Sequence, residues 1–186
     1  MRKIVFDIES KNFSNNLDEV EISIVAIHDS ETNEFSTYLE NELHKLWPIL
    51  ERSDMLIGFA SDTFDIPVLN RYYPGNLTQI KSLDILSEIK SQYGRRMKLD
   101  QIAEGTLGKN KSGWGVEAVK WWRNGEIDKL REYCIDDVRI TKEVYDYALA
   151  NNKLIFKEGK DLKEIKLDTS HWEKPQSSSL TFSLPF

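Results

Sequence analysis

Between residues 126 and 150 the side chains Ile127, Leu130, Cys134, Val138, Thr141, Tyr145 and Ala148 recur every three or four positions. That spacing predicts one long helix with a single core-facing stripe, which has to be buried against other elements. Upstream the period changes. Residues 2–6 and 21–28 read as short buried strands and 34–39 as a third, a run that suggests a meander. Strand and helix patterns then alternate. A helix is predicted over 42–52, a strand over 55–59, a helix over 65–72 opened by Asp65 and Pro67, a strand over 81–84, and helices over 85–92, 99–105 and 116–123. Such alternation belongs to α/β folds. Past the long helix, 154–156 and 162–167 flank Glu158-Gly159-Lys160 as a hairpin would, and after His171 no period remains, so the end reads as a flexible tail.

The chain has 186 residues, enough for one domain with a short appendage, and its 40% hydrophobic content is enough to build a core. No apolar run approaches the roughly 18 residues that a membrane span needs. Cys134 is the only cysteine, which excludes an internal disulfide and Cys-rich zinc sites; a reducing, cytoplasmic setting without a membrane is the expectation. The net charge of -6 argues against holding nucleic acid by general attraction. The charge is uneven, however. Residues 93–123 carry seven basic side chains (Arg95, Arg96, Lys98, Lys109, Lys111, Lys120, Arg123) against three acids (Asp100, Glu104, Glu117), a window of +4 that leaves -10 elsewhere.

Three acidic sites stand out. In a strand, alternate side chains share a face, so Val5, Asp7 and Glu9 point one way and Ile4, Phe6 and Ile8 the other. Two anions side by side on an interior strand need a cation or donors, although the same triplet also reads as a solvated strand end. Asp65 ends a loop and opens a helix; it reads as an ordinary N-cap, a role compatible with offering an oxygen to a metal. Tyr133 and Asp137 are four apart on the long helix and share a face, with Asp137 inside the apolar stripe and Asp136 turned about 100° away. An inward acid needs a partner: an internal salt bridge, a hydrogen bond to Tyr133, or a metal.

In order along the chain, FDIE at 6–9, FDIPVL at 64–69 and YCIDDV at 133–138 resemble the three motifs of the DEDDy 3'-5' exonucleases. These are ribonuclease H-like enzymes that include the proofreading domain of family B DNA polymerases. The resemblance spans about 1–150. It implies an α/β ribonuclease H-like fold, a mixed central sheet flanked by helices; beyond it, the residue pattern makes 151–172 a hairpin extension and 173–186 a flexible tail. It further implies that Asp7, Glu9, Asp65 and Asp137 hold two Mg²⁺ or Mn²⁺ ions, hard cations that prefer carboxylate oxygen. Tyr133 would then orient the attacking water, since a free tyrosine, with a pKa near 10, is a poor base at neutral pH. The expected product is a nucleoside 5'-monophosphate from the 3' end of single-stranded nucleic acid, DNA favoured. Family B polymerases usually carry asparagine where Ala60 stands, and no polymerase domain follows, so a free-standing nuclease is the simpler inference. An endonuclease of the same superfamily and a non-catalytic binding module are the rival readings.

Lys109, Lys111 and Trp114, in a glycine-containing loop, are the candidates for gripping phosphates and bases. Trp121 and Trp122 read instead as core or half-buried helix residues. The end of the chain, between Phe182 and Phe186, resembles the short peptides that dock on bacterial sliding clamps, without their usual first glutamine. It also reads as a disordered end.

Overall fold

A computed structural model describes residues 1–109 and 115–175. Strands β1 (Lys3–Ser10), β2 (Ile22–Asp29), β3 (Glu34–Leu39), β4 (Met55–Gly58) and β5 (Lys81–Asp84) form one mixed sheet in the order β3-β2-β1-β4-β5. The first three strands are the antiparallel meander; β4 and β5 add in parallel beside β1. The helices are α1 (Leu43–Leu50), α2 (Asp65–Asn70), α3 (Ile85–Tyr93), α4 (Leu99–Leu107), α5 (Gly115–Asn124) and α6 (Ile127–Asn151). None among the described residues is long and apolar enough to cross a membrane.

The two-residue period of β1 divides the core. Ile4, Phe6 and Ile8 pack with residues of α1 and α2 on one face of the sheet, whereas Val5 joins Ile24, Ala26, Ile57 and the apolar stripe of α6 on the other. Leu130, Cys134, Val138, Thr141, Tyr145 and Ala148 of that stripe are all buried. Strands β6 (Lys153–Glu158) and β7 (Asp161–Lys166) form a separate hairpin seated on α4. A Cβ on Gly105 would lie 2.6 Å from the Ile155 carbonyl oxygen and the Phe156 Cα, so only glycine allows this approach.

The chain after the hairpin is fixed further than its composition suggests. Trp172 is fully buried and stacks on Tyr145 with ring centroids 5.8 Å apart, and its Nε1 donates to Glu88 at 3.2 Å. Lys3 pairs with Glu173 at 2.6 Å, and the Lys81 ammonium donates to the carbonyls of Trp172 (2.5 Å) and Lys174 (2.7 Å). The described stretch after His171 is thus anchored, through Lys174, by one tryptophan and two lysines. The peptide between Phe182 and Phe186 lies outside the described residues.

Candidate metal centre

β1 pairs with β4 only through Lys3, Ile4 and Val5, so its second half runs past the end of β4. Over that half lies α6, with Tyr133, Cys134 and Asp137 buried. One carboxylate oxygen each from Asp7, Glu9 and Asp137 lies within 4.8 Å of the other two; Asp137 is buried and the strand acids half-buried. At an effective dielectric of about 20, like charges at such a distance repel by roughly 3.5 kcal/mol per pair. A cation or hydrogen-bond donors have to offset this. An all-carboxylate set of hard oxygen donors fits Mg²⁺ or Mn²⁺, so Asp7, Glu9 and Asp137 could hold such an ion.

Asp65 stands outside that trio but touches the same strand. It is the first helical residue of α2 rather than its cap, and its Oδ1 accepts the Ile8 N–H at 3.1 Å, on the part of β1 that has outrun β4. Burial pushes the Asp65 carboxyl up to about 7; the Ile8 N–H opposes the shift and the charge of Asp84 adds to it. Asp84 caps α3 and gathers the preceding loop. Its carboxylate accepts from Ala60 N (2.8 Å), Asp62 N (3.3 Å), Leu86 N (2.9 Å), Ser87 N (3.3 Å) and Ser87 Oγ (3.1 Å). Ala60, where the polymerases usually carry asparagine, has a left-handed backbone with φ 66°, which asparagine and glycine adopt at lower cost.

Cys134 lies against the strand acids, its Sγ 3.7 Å from the Asp7 carbonyl oxygen and 3.9 Å from Asp7 Oδ2. Burial pushes the thiol pKa up, and Asp7, Glu9 and Asp137 push the same way, so the S–H remains available as a donor. The Tyr133 ring meets Trp121 edge-on at 5.5 Å. Trp122 lies beneath the Lys11 ammonium, 5.5 Å from its ring centroid. Both tryptophans are half-buried, as a helix-packing role requires.

The architecture now has a family to answer to. A family model for the RNase H superfamily matches residues 4–149. This chain belongs to the RNase H superfamily. Its sheet and flanking helices are the RNase H-like fold expected from the three motifs. Among solved structures, the family B DNA polymerase from the hyperthermophilic archaeon Pyrobaculum calidifontis matches 80% of this chain with a TM-score of 0.63 and 18% identity, a likeness of fold. The chain spans 24% of that polymerase's length. No curated protein matches it.

Of the side chains expected to grip substrate, Lys109 is described and pairs with Glu143 at 2.5 Å, while Lys111 and Trp114 lie outside the described residues. Two aromatics escaped sequence reasoning. Phe13, 63% exposed, and Phe64 line a cleft of about 330 Å³ with Ser10, Asn12, Asn15 and Val20. The cleft opens one residue after Glu9 and one before Asp65. Its only signal was a phenylalanine alone among asparagines and serines, which has no period to betray it.

Proposed function

We propose that this RNase H superfamily chain is a metal-dependent 3'-5' exonuclease of the DEDDy type, trimming single-stranded nucleic acid, DNA in preference, to nucleoside 5'-monophosphates. The observation that supports it most is the convergence of Asp7, Glu9 and Asp137 within 4.8 Å, from a strand and a helix some 130 residues apart in sequence. Asp7, Glu9, Asp137 and Asp65 would hold two Mg²⁺ or Mn²⁺ ions, which supply activation of a water and stabilisation of the departing oxygen when bound. Tyr133, one turn before Asp137, would orient that water through its hydroxyl. Cys134 would keep the Asp7 carboxylate in place. Phe13 and Phe64 would take the terminal base by stacking, a contact every base can make.

In this reading 1–150 is the catalytic unit, 151–172 a supporting extension and 173–186 a tail whose first residues, through Lys174, are tied to Lys3 and Lys81, with clamp docking near Phe182 an additional proposal. The test is a 5'-labelled oligomer, as DNA and as RNA, incubated with Mn²⁺. Laddering by single nucleotides that stops when the 3' end is blocked is the expected result. Asp7→Ala and Asp137→Ala should each lower turnover on the order of 100-fold or more. Cleavage of a circular single strand would instead mark an endonuclease, and near-normal turnover in both variants would remove the site assignment.

A further inference from the structure

The parallel strands β1, β4 and β5 end at the same pole, where an open α/β sheet offers its crevice. The acidic trio occupies the β1 end of this pole. At the β5 end lies a pocket of about 50 Å³, lined by Thr63, Asp84, Leu86, Ser87, Lys90 and Arg96. Its acid is already satisfied, because five donors converge on the Asp84 carboxylate. Its hydroxyls are committed too, Thr63 to the Ala60 carbonyl and Ser87 to Asp84.

The cations of this acidic chain divide into those paired with acids and those left without one. Arg2, Lys3, Lys11, Arg95, Lys109 and Arg131 all meet carboxylates. Lys90 and Arg96 are exposed and, like Arg52, Lys98, Lys160 and Lys166, form no ion pair with a carboxylate among the described residues; these two share the lining of one pocket. A long cationic side chain left unpaired in a protein of net charge -6, beside a second one on a pocket of phosphate size, is placed to meet an external anion.

We infer that Lys90 and Arg96 form a phosphate seat for the substrate strand, upstream of the terminal nucleotide, so that nucleic acid crosses the sheet from β5 over the β4–α2 loop to the acids of β1. This deepens the exonuclease reading and rests on it. Two strand spacings separate β5 from β1, roughly 10 Å at about 4.8 Å each, which about three stacked nucleotides cover at 3.4 Å apiece. The basic window identified in the sequence is thereby divided. Arg95 and Lys109 close ion pairs with Glu158 and Glu143, while Arg96, next to Arg95 in sequence, joins Lys90 of α3 at the seat.

The experiment measures Mn²⁺-dependent hydrolysis of a single-stranded oligomer of about a dozen nucleotides by the full chain. A Lys90→Gln/Arg96→Gln double variant should raise KM about tenfold with kcat nearly unchanged, and should make the slope of log affinity against log salt shallower by about 1.4, near 0.7 per lost phosphate contact. Arg96→Lys, which keeps the charge, should hold KM close to wild type. Lys160→Gln/Lys166→Gln, which removes the same charge from the hairpin, should leave KM where it was. An unchanged KM in the Lys90/Arg96 variant, with wild type active, overturns the seat alone, as does an equal rise in the hairpin variant. A wild-type protein with no hydrolysis of any single strand overturns the exonuclease reading and the seat with it.

Discussion

Asp65 joins a local helix start to a distant strand, and that double attachment makes its charge state a property of the fold. Its carboxyl, ordinarily near 3.8, is pushed up to about 7 by burial. A pKa raised on folding means that the native state holds the proton more tightly than the unfolded chain. The resulting stability is fully present below about 3.8 and is lost as pH climbs through about 7, by roughly 4 kcal/mol at most. Metal-free Asp65→Asn should therefore match wild type near pH 4 and exceed it in thermal melting near pH 8; equal melting curves across that range would dismiss the burial argument. Sequence could place Asp65 at a helix start, because proline two residues on and the loop before it are local signals. Its acceptance of the Ile8 N–H joins positions 57 apart in the chain, and no periodicity encodes such a contact.

At the scale of elements, the spacings that carried information were those within one strand or one helix. Alternation on β1 placed Asp7 and Glu9 on the face of Val5, and the three-to-four spacing on α6 turned Tyr133 and Asp137 inward while Asp136 faced out to pair with Arg139. The strand order β3-β2-β1-β4-β5 follows the meander for its first half. The parallel addition of β4 and β5 comes from crossovers that local patterning only outlines. Contacts between elements stayed hidden, such as that of Lys109 with Glu143 and that of Trp172 with Tyr145. The seat of the hairpin on α4 is of this kind. Thr106 Oγ1 donates to the Ile155 carbonyl at 2.6 Å and accepts the Ile155 N–H at 2.9 Å, so the helix completes the edge of β6 where Gly105 lets it come close. Gly105→Ala would raise intrinsic helix propensity by about 1 kcal/mol, yet here the added methyl meets backbone that cannot rotate aside. Overpacking of this sort costs about 1–3 kcal/mol, so the variant should lose stability in chemical denaturation. A gain would mean that the hairpin does not press on α4.

Across the whole molecule, the two poles of the sheet carry different duties. The N-terminal ends of β1 and β5 hold the returning chain, through Lys3 to Glu173 and through Lys81 to the carbonyls of Trp172 and Lys174. The C-terminal end of β1 concentrates acids that repel one another. A fold can carry such a cluster when a cation that binds only the native state offsets the repulsion, and this couples global stability to metal. At a free ion concentration about 100 times its dissociation constant, a single bound ion stabilises by about 2.7 kcal/mol. For a chain of this length that corresponds to a rise of roughly 5–10 °C in Tm. Mn²⁺ should thus raise the melting temperature of the wild type by several degrees, reversibly with chelator. An Asp7→Asn/Asp137→Asn double variant should start from a higher metal-free Tm, because the mutual repulsion is gone, and respond little to Mn²⁺. The opposite order, a metal-free variant that melts below wild type and still shifts with Mn²⁺, would place the ion elsewhere and leave the three carboxylates with a purely structural role.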